Sequence, residues 1–140
     1  MQPDRPSSYS LPTQPAAAPA KASGAAYSVC TDSTLEVAQG QDVAVRMYGR
    51  KKTGHASPVV VHFHGGAFMS GDLDNGCTVA SLLESAGAVV VSVAYPLTPF
   101  PQPVDTGYGV LKWVHKHRTK LGGQGAAVYL AGEEAGGNLA

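Results

Sequence analysis

Tyr129-Leu130-Ala131-Gly132-Glu133-Glu134-Ala135-Gly136-Gly137-Asn138-Leu139-Ala140 is an apolar run that passes through closely spaced glycines into the start of a helix. A strand-turn-helix of this kind holds its central residue on a tight, strained bend, with the side chain standing free at the carboxyl end of the strand. That is the place a nucleophile occupies, and here the residue is Glu134. Gly132, Gly136 and Gly137 let the backbone bend sharply and let a second segment come close.

Upstream of this turn the chain reads as scaffold. Residues 1–27 hold five of the ten prolines among small and polar residues, too little apolar surface to offset the entropy of ordering, and are expected to form a disordered tail ahead of a domain over 28–140. Alternating apolar residues over Thr34–Ala38 and Val43–Tyr48, separated by Gln39-Gly40-Gln41-Asp42, predict an antiparallel hairpin. Arg50-Lys51-Lys52 in the following loop reads as a solvated face. Pro58-Val59-Val60-Val61-His62-Phe63 is a short β-branched run suited to a strand covered on both faces.

After Gly65-Gly66, Asp72 or Asp74 can cap a helix with Val79, Leu82, Leu83 and Ala86 on its apolar side, ended by Gly87. A second buried strand spans 88–93, then a proline-stiffened loop runs from Tyr95 to Pro103. A helix from about Val104 is expected to bury Val104, Tyr108, Leu111, Val114 and Leu121, and Ala126–Ala131 is expected to be the third parallel strand. Strands alternating with helices in this order imply a doubly wound α/β sheet with helices on both faces.

Composition sets limits on function. Ten basic and ten acidic residues cancel, which removes the overall field that would draw nucleic acid or an anionic membrane and favours a small, near-neutral ligand. Cys30 and Cys77 supply neither a disulfide framework nor metal-ligand spacing. The amino terminus lacks a signal-peptide pattern, and no apolar run approaches the roughly 18 residues of a membrane helix, so a cytoplasmic protein without a cofactor is expected. His62 and His64 share a strand face, but further metal ligands are not in reach by pattern, so no metal site is expected. His115-Lys116-His117-Arg118 reads as polar helix surface.

Together with His64-Gly65-Gly66-Ala67-Phe68, the terminal turn resembles the hormone-sensitive-lipase-like esterases of the α/β-hydrolase fold, whose elbow usually reads Gly-Asp-Ser-Ala-Gly-Gly-Asn. The resemblance covers roughly residues 34–140 and implies a partial α/β-hydrolase fold: a hairpin, then parallel strands alternating with helices, ending at the nucleophile elbow. It also implies an oxyanion hole from the backbone N–H groups of Gly65, Gly66, Ala67 and Ala135, and a bracing role for His64 in the glycine-rich loop. Complete relatives are expected to hydrolyse carboxylic esters of small acyl groups.

Three departures shape the functional expectation. Glu134 stands where the resembled family has serine, and Glu133 where it has aspartate. A carboxylate is a poor nucleophile toward an ester, and surrounding donors stabilise its anion, so Glu134 itself is expected to fill the oxyanion hole. In the fold, acid and histidine follow the nucleophile in chain order, and neither is placed here, because the sequence given ends six residues past Glu134. Finally, Tyr95-Pro96-Leu97-Thr98-Pro99-Phe100-Pro101 lacks the charged pair of the family's Tyr-Arg-Leu-Ala-Pro-Glu-His-Pro-Phe-Pro segment.

The expectation is thus an esterase-like chain with impaired catalysis. Its rival is a non-catalytic module binding a small ester-like ligand or a protein at the elbow pocket, and a remote alternative is attack by the carboxylate on an alkyl carbon. The strand before the elbow is expected to leave an open edge that invites self-association, and the sequence to be a fragment of a longer protein.

Overall fold

The computed structural model describes residues 29–38, 40–49 and 54–140. The tail expected over 1–27 and the Arg50-Lys51-Lys52 loop lie outside the described residues. Among the described residues, five strands and three helices follow in the order β1 (Cys30–Ala38), β2 (Gln41–Tyr48), β3 (Val59–Phe63), α1 (Cys77–Ser85), β4 (Val89–Val93), α2 (Gln102–His117), β5 (Val128–Gly132) and α3 (Ala135–Leu139). They form one sheet in the order β1-β2-β4-β3-β5. β1 and β2 pair antiparallel, as do β2 and β4, whereas β4, β3 and β5 run parallel.

The chain steps from β3 to β4 in one direction and from β4 back past β3 to β5 in the other. Crossovers of one hand in opposite directions place their helices on opposite faces. Accordingly, Val61, Val91, Phe63, Val93, Val110 and Val114 build a core beneath α2, while Val60, Val90, Tyr48 and Ala80 build a second beneath α1. Every residue of β3 and β4 is buried, which explains their unbroken β-branched sequences. The reversal also makes a crevice outside the carboxyl ends of β3 and β5, where sheets of this type bind ligands.

Several expectations shift in detail. The hairpin strand β1 begins at Cys30 rather than Thr34, and β5 spans Val128–Gly132 rather than 126–131. β5 is only partly covered, with Tyr129 and Leu130 exposed, because among the described residues no strand pairs with its outer side.

The faces of both longer helices also differ from the apolar stripes. α2 buries Pro103, Thr106, Gly107, Gly109, Val110 and Val114, leaving Val104 and Tyr108 exposed. Its contact face is made by glycines: a Cβ on Gly107 would sit 3.1 Å from the Phe63 ring, and one on Gly109 3.1 Å from Val37. α1 buries Ala80 and leaves Leu82 exposed. Its N-cap is Gly76, not Asp72 or Asp74; the Asp72 carboxylate instead accepts the N–H groups of Asp74 and Asn75 in the preceding turn.

Candidate active site

β3 and β5 are parallel neighbours with Phe63 opposite Gly132, so the loop after β3 and the turn after β5 emerge side by side. The elbow is pressed hard onto β3. A Cβ on Gly136 would lie 2.1 Å from the Phe63 carbonyl oxygen and 2.5 Å from that of His64, and one on Gly132 would lie 2.2 Å from the Gly136 carbonyl oxygen. Only glycine fits such backbone-to-backbone contact. Within the turn, the Gly136 N–H donates to the Glu133 carbonyl at 2.8 Å and the Asn138 N–H to the Glu134 carbonyl at 3.1 Å, which starts α3.

Glu134 sits at the apex with φ +52° and ψ −114°. A non-glycine residue there is strained, since its Cβ crowds the neighbouring carbonyl. The side chain is exposed and reaches across the crevice, where Oε2 accepts the Gly66 N–H at 2.9 Å. Gly65 lies directly beneath it: a Cβ there would stand 2.9 Å from Glu134 Oε2 and would push that carboxylate aside. The structure therefore brings Gly65, Gly66 and Glu134 together. Ala135 is buried immediately after the apex.

The loop holding the Gly66 donor is itself strained. Gly66, Ala67 and Phe68 all have positive φ, at +126°, +54° and +59°, and the N–H groups of Met69 and Ser70 close the turn on the Gly66 carbonyl. Gly66 is required at its position, because a Cβ would meet the Ser70 carbonyl oxygen at 2.0 Å.

His64 is 1% exposed and its Nδ1 lies 2.6 Å from the Gly65 carbonyl oxygen. A carbonyl only accepts, so Nδ1 carries the proton that it donates. The imidazole stacks on Tyr95 with ring centroids 4.4 Å apart, and the Tyr95 hydroxyl donates to the His64 carbonyl at 2.6 Å. His64 is thus fixed in the loop and makes no bond to Glu134. Burial raises the Tyr95 pKa above its ordinary value, and the negative charge of Glu134 raises it further.

A second link joins the elbow to the sheet. His62, fully buried, holds the Glu133 carboxylate through Nε2 at 2.6 Å and meets Ser92 Oγ through Nδ1 at 3.1 Å. Glu133, the residue before the apex, is thereby tied to β3 and β4. The partners are 71 positions apart in sequence, and no local pattern joins them. Tyr95 was likewise visible only as the start of a loop.

Among the described residues no group of three His, Cys, Asp or Glu side chains converges as a metal site, and no helix is long and apolar enough to cross a membrane. Beside the elbow, an apolar cleft of about 240 Å³ lies between Phe68, Phe100, Pro103, Val104, Asn138 and Leu139.

Comparison with known proteins agrees with the fold. Residues 60–140 match the family described as alpha/beta hydrolase fold. The chain is 38% identical over 102 residues to the carboxylesterase NlhH of Mycobacterium tuberculosis, covering 70% of this chain and 32% of that protein. It is 35% identical over 85 residues to human hormone-sensitive lipase, covering 58% of this chain and 8% of that one. An esterase of Pyrobaculum calidifontis superposes with a TM-score of 0.70 at 39% identity, over 80% of this chain and 37% of that structure. The chain spans about a third of the length of the first of these relatives.

Proposed function

The chain belongs to the alpha/beta hydrolase fold family, and from that premise we propose that the crevice between Gly66 and Glu134 binds carboxylic esters while its hydrolytic step is impaired. One observation carries the reading: the Gly66 N–H is already engaged by Glu134 Oε2 at 2.9 Å. Ester hydrolysis through an acyl-enzyme needs such backbone donors free to meet the oxyanion as it develops. Here the side chain in the nucleophile's place takes up one of them.

The carboxylate is also a weak nucleophile toward an ester carbonyl, and the bond that stabilises its charge weakens it further. Loss of the nucleophile in comparable hydrolases costs about 10⁶ in turnover, leaving roughly 10³ to 10⁴ over water from binding and the oxyanion donors. Both histidines at the crevice are committed elsewhere, His62 to Glu133 and Ser92, His64 to the Gly65 carbonyl. The apolar cleft beside the elbow, at about 240 Å³, is smaller than sites for drug-sized ligands and suits a short acyl group. The names of the relatives, carboxylesterase and hormone-sensitive lipase, support the same substrate class.

The rival reading keeps the crevice as a non-catalytic binding site, and the same Glu134–Gly66 contact favours it. Hydrolysis of p-nitrophenyl acetate by the wild-type chain, Glu134→Ala and Glu134→Ser, each shown folded by circular dichroism, tests the proposal. The expected result is no wild-type turnover beyond that of Glu134→Ala. Wild-type turnover that disappears in Glu134→Ala would make the carboxylate a working nucleophile and overturn the impairment. Failure of short p-nitrophenyl esters to perturb the Gly66 amide resonance would remove ester binding as well.

A further inference from the structure

Two exposed thiols, Cys30 and Cys77, ride on segments that a single guanidinium ties together. In the β1–β2 register Cys30 lies opposite Tyr48 and Asp32 opposite Arg46. Strand alternation therefore puts all four residues on one face of the sheet. Tyr48 packs with Ala80 of α1 and with Val90, so this is the face that α1 covers. Cys77 is the first residue of α1.

Arg46 binds Asp32 at 2.6 Å through Nε and Asp74 at 2.5 Å through Nη1. Asp32 is two residues past Cys30, and Asp74 is three before Cys77. Burial raises the Tyr48 pKa above its ordinary value, and the neighbouring Arg46 opposes the rise. The Arg46 clamp thus links the segment that starts at Cys30 to the turn that leads into Cys77, 47 positions away in sequence.

We propose that Cys30 and Cys77 form a redox-closable pair, joined Sγ to Sγ by a small disulfide such as oxidised glutathione. One thiolate attacks the glutathione disulfide, forming a mixed disulfide and releasing one reduced glutathione. The second thiolate then attacks the protein sulfur of that mixed disulfide and releases the other. The two protein thiols lose two protons and two electrons, and the oxidant leaves as two thiols. A disulfide needs Cα atoms roughly 4.4–6.8 Å apart. The adjustment falls on soft backbone, because β1 is an edge strand whose residues Cys30–Thr34 are all exposed. Closure fastens the start of β1 to the start of α1.

The test incubates the whole chain with oxidised glutathione, alkylates remaining thiols with a maleimide and maps unreduced peptides by mass spectrometry. The expected product is a monomer lighter by two hydrogens, with a Cys30–Cys77 linked peptide, both thiols protected from maleimide, and full reversal by dithiothreitol. Cys30→Ser and Cys77→Ser, both at exposed positions, each abolish it. Arg46→Gln slows closure several-fold. Stable glutathione adducts on both cysteines without an internal cross-link, or cross-links only between molecules, would overturn the proposal. Closure at an unchanged rate in Arg46→Gln would overturn the role of the clamp.

Discussion

Gly136→Ala tests the seating of the elbow more severely than any other single substitution. The added Cβ would stand 2.1 Å from the Phe63 carbonyl oxygen and 2.5 Å from that of His64, whereas ordinary contact begins at 3.4 Å. Relief therefore requires a shift of more than an ångström between α3 and β3, and both obstacles are backbone atoms that no rotamer change can move. Forced overpacking of this kind costs typically 1–3 kcal/mol and sometimes more. With two clashes at once, about 3 kcal/mol is expected, or a fall of roughly 10–20 °C in midpoint for a domain of this size.

The same shift would pull Glu134 Oε2 off the Gly66 N–H, which is held at 2.9 Å. Gly137→Ala is the control: its Cβ would approach the Gly132 carbonyl oxygen no closer than 3.2 Å, and alanine is favoured over glycine in a helix by about 1 kcal/mol, so its stability should stay near wild type. Thermal and urea melts of the two variants decide the matter. Gly136→Ala within 1 kcal/mol of Gly137→Ala would refute the close seating of the elbow on β3.

The other predictions concern the braces of the site. Tyr95→Phe removes a buried 2.6 Å bond to the His64 carbonyl but keeps the ring, so a loss of about 1–2 kcal/mol with faster hydrogen exchange at Gly65 and Gly66 is expected. Glu133→Ala leaves the buried His62 Nε2 without its carboxylate, and a loss of about 1–3 kcal/mol in denaturant melts should follow, reduced in Glu133→Gln, which can still accept a bond. Because Glu134 adds to the rise that burial causes in the Tyr95 pKa, Glu134→Gln should lower that pKa, read by ultraviolet titration against Tyr95→Phe. The sign for stability follows: a tyrosine whose folded pKa is raised contributes fully below its unfolded value of about 10, and the contribution is lost as pH rises through the folded value.

Much of the fold was legible in sequence because its signals are local. Val59–Phe63 and Val89–Val93 are β-branched runs covered on both faces, and the glycine-flanked turn at Glu134 announces its own bend. The helix faces were not legible by hydropathy. α2 approaches the sheet through Gly107 and Gly109, which lie against Phe63 and Val37, and glycine carries little apolar signal even where it makes the closest contact. The exposed Val104 and Tyr108 instead border clefts beside the elbow and the outer side of β5. The site divides in the same way. Gly65, Gly66, His64 and Glu134 could be named from motifs, but the His62–Glu133–Ser92 link and the Tyr95 hydroxyl bond depend on strands that meet only in the folded sheet.

The most direct measurement is the Gly66 amide proton resonance in the wild-type chain, in Glu134→Gln and in Glu134→Ala. A charge-assisted hydrogen bond at 2.9 Å should hold that proton far downfield in the wild type, less far when a neutral amide accepts it, and release it upfield when the acceptor is removed in Glu134→Ala. An amide resonance unchanged across all three would contradict the claim that Glu134 occupies the donor that an ester oxyanion would need.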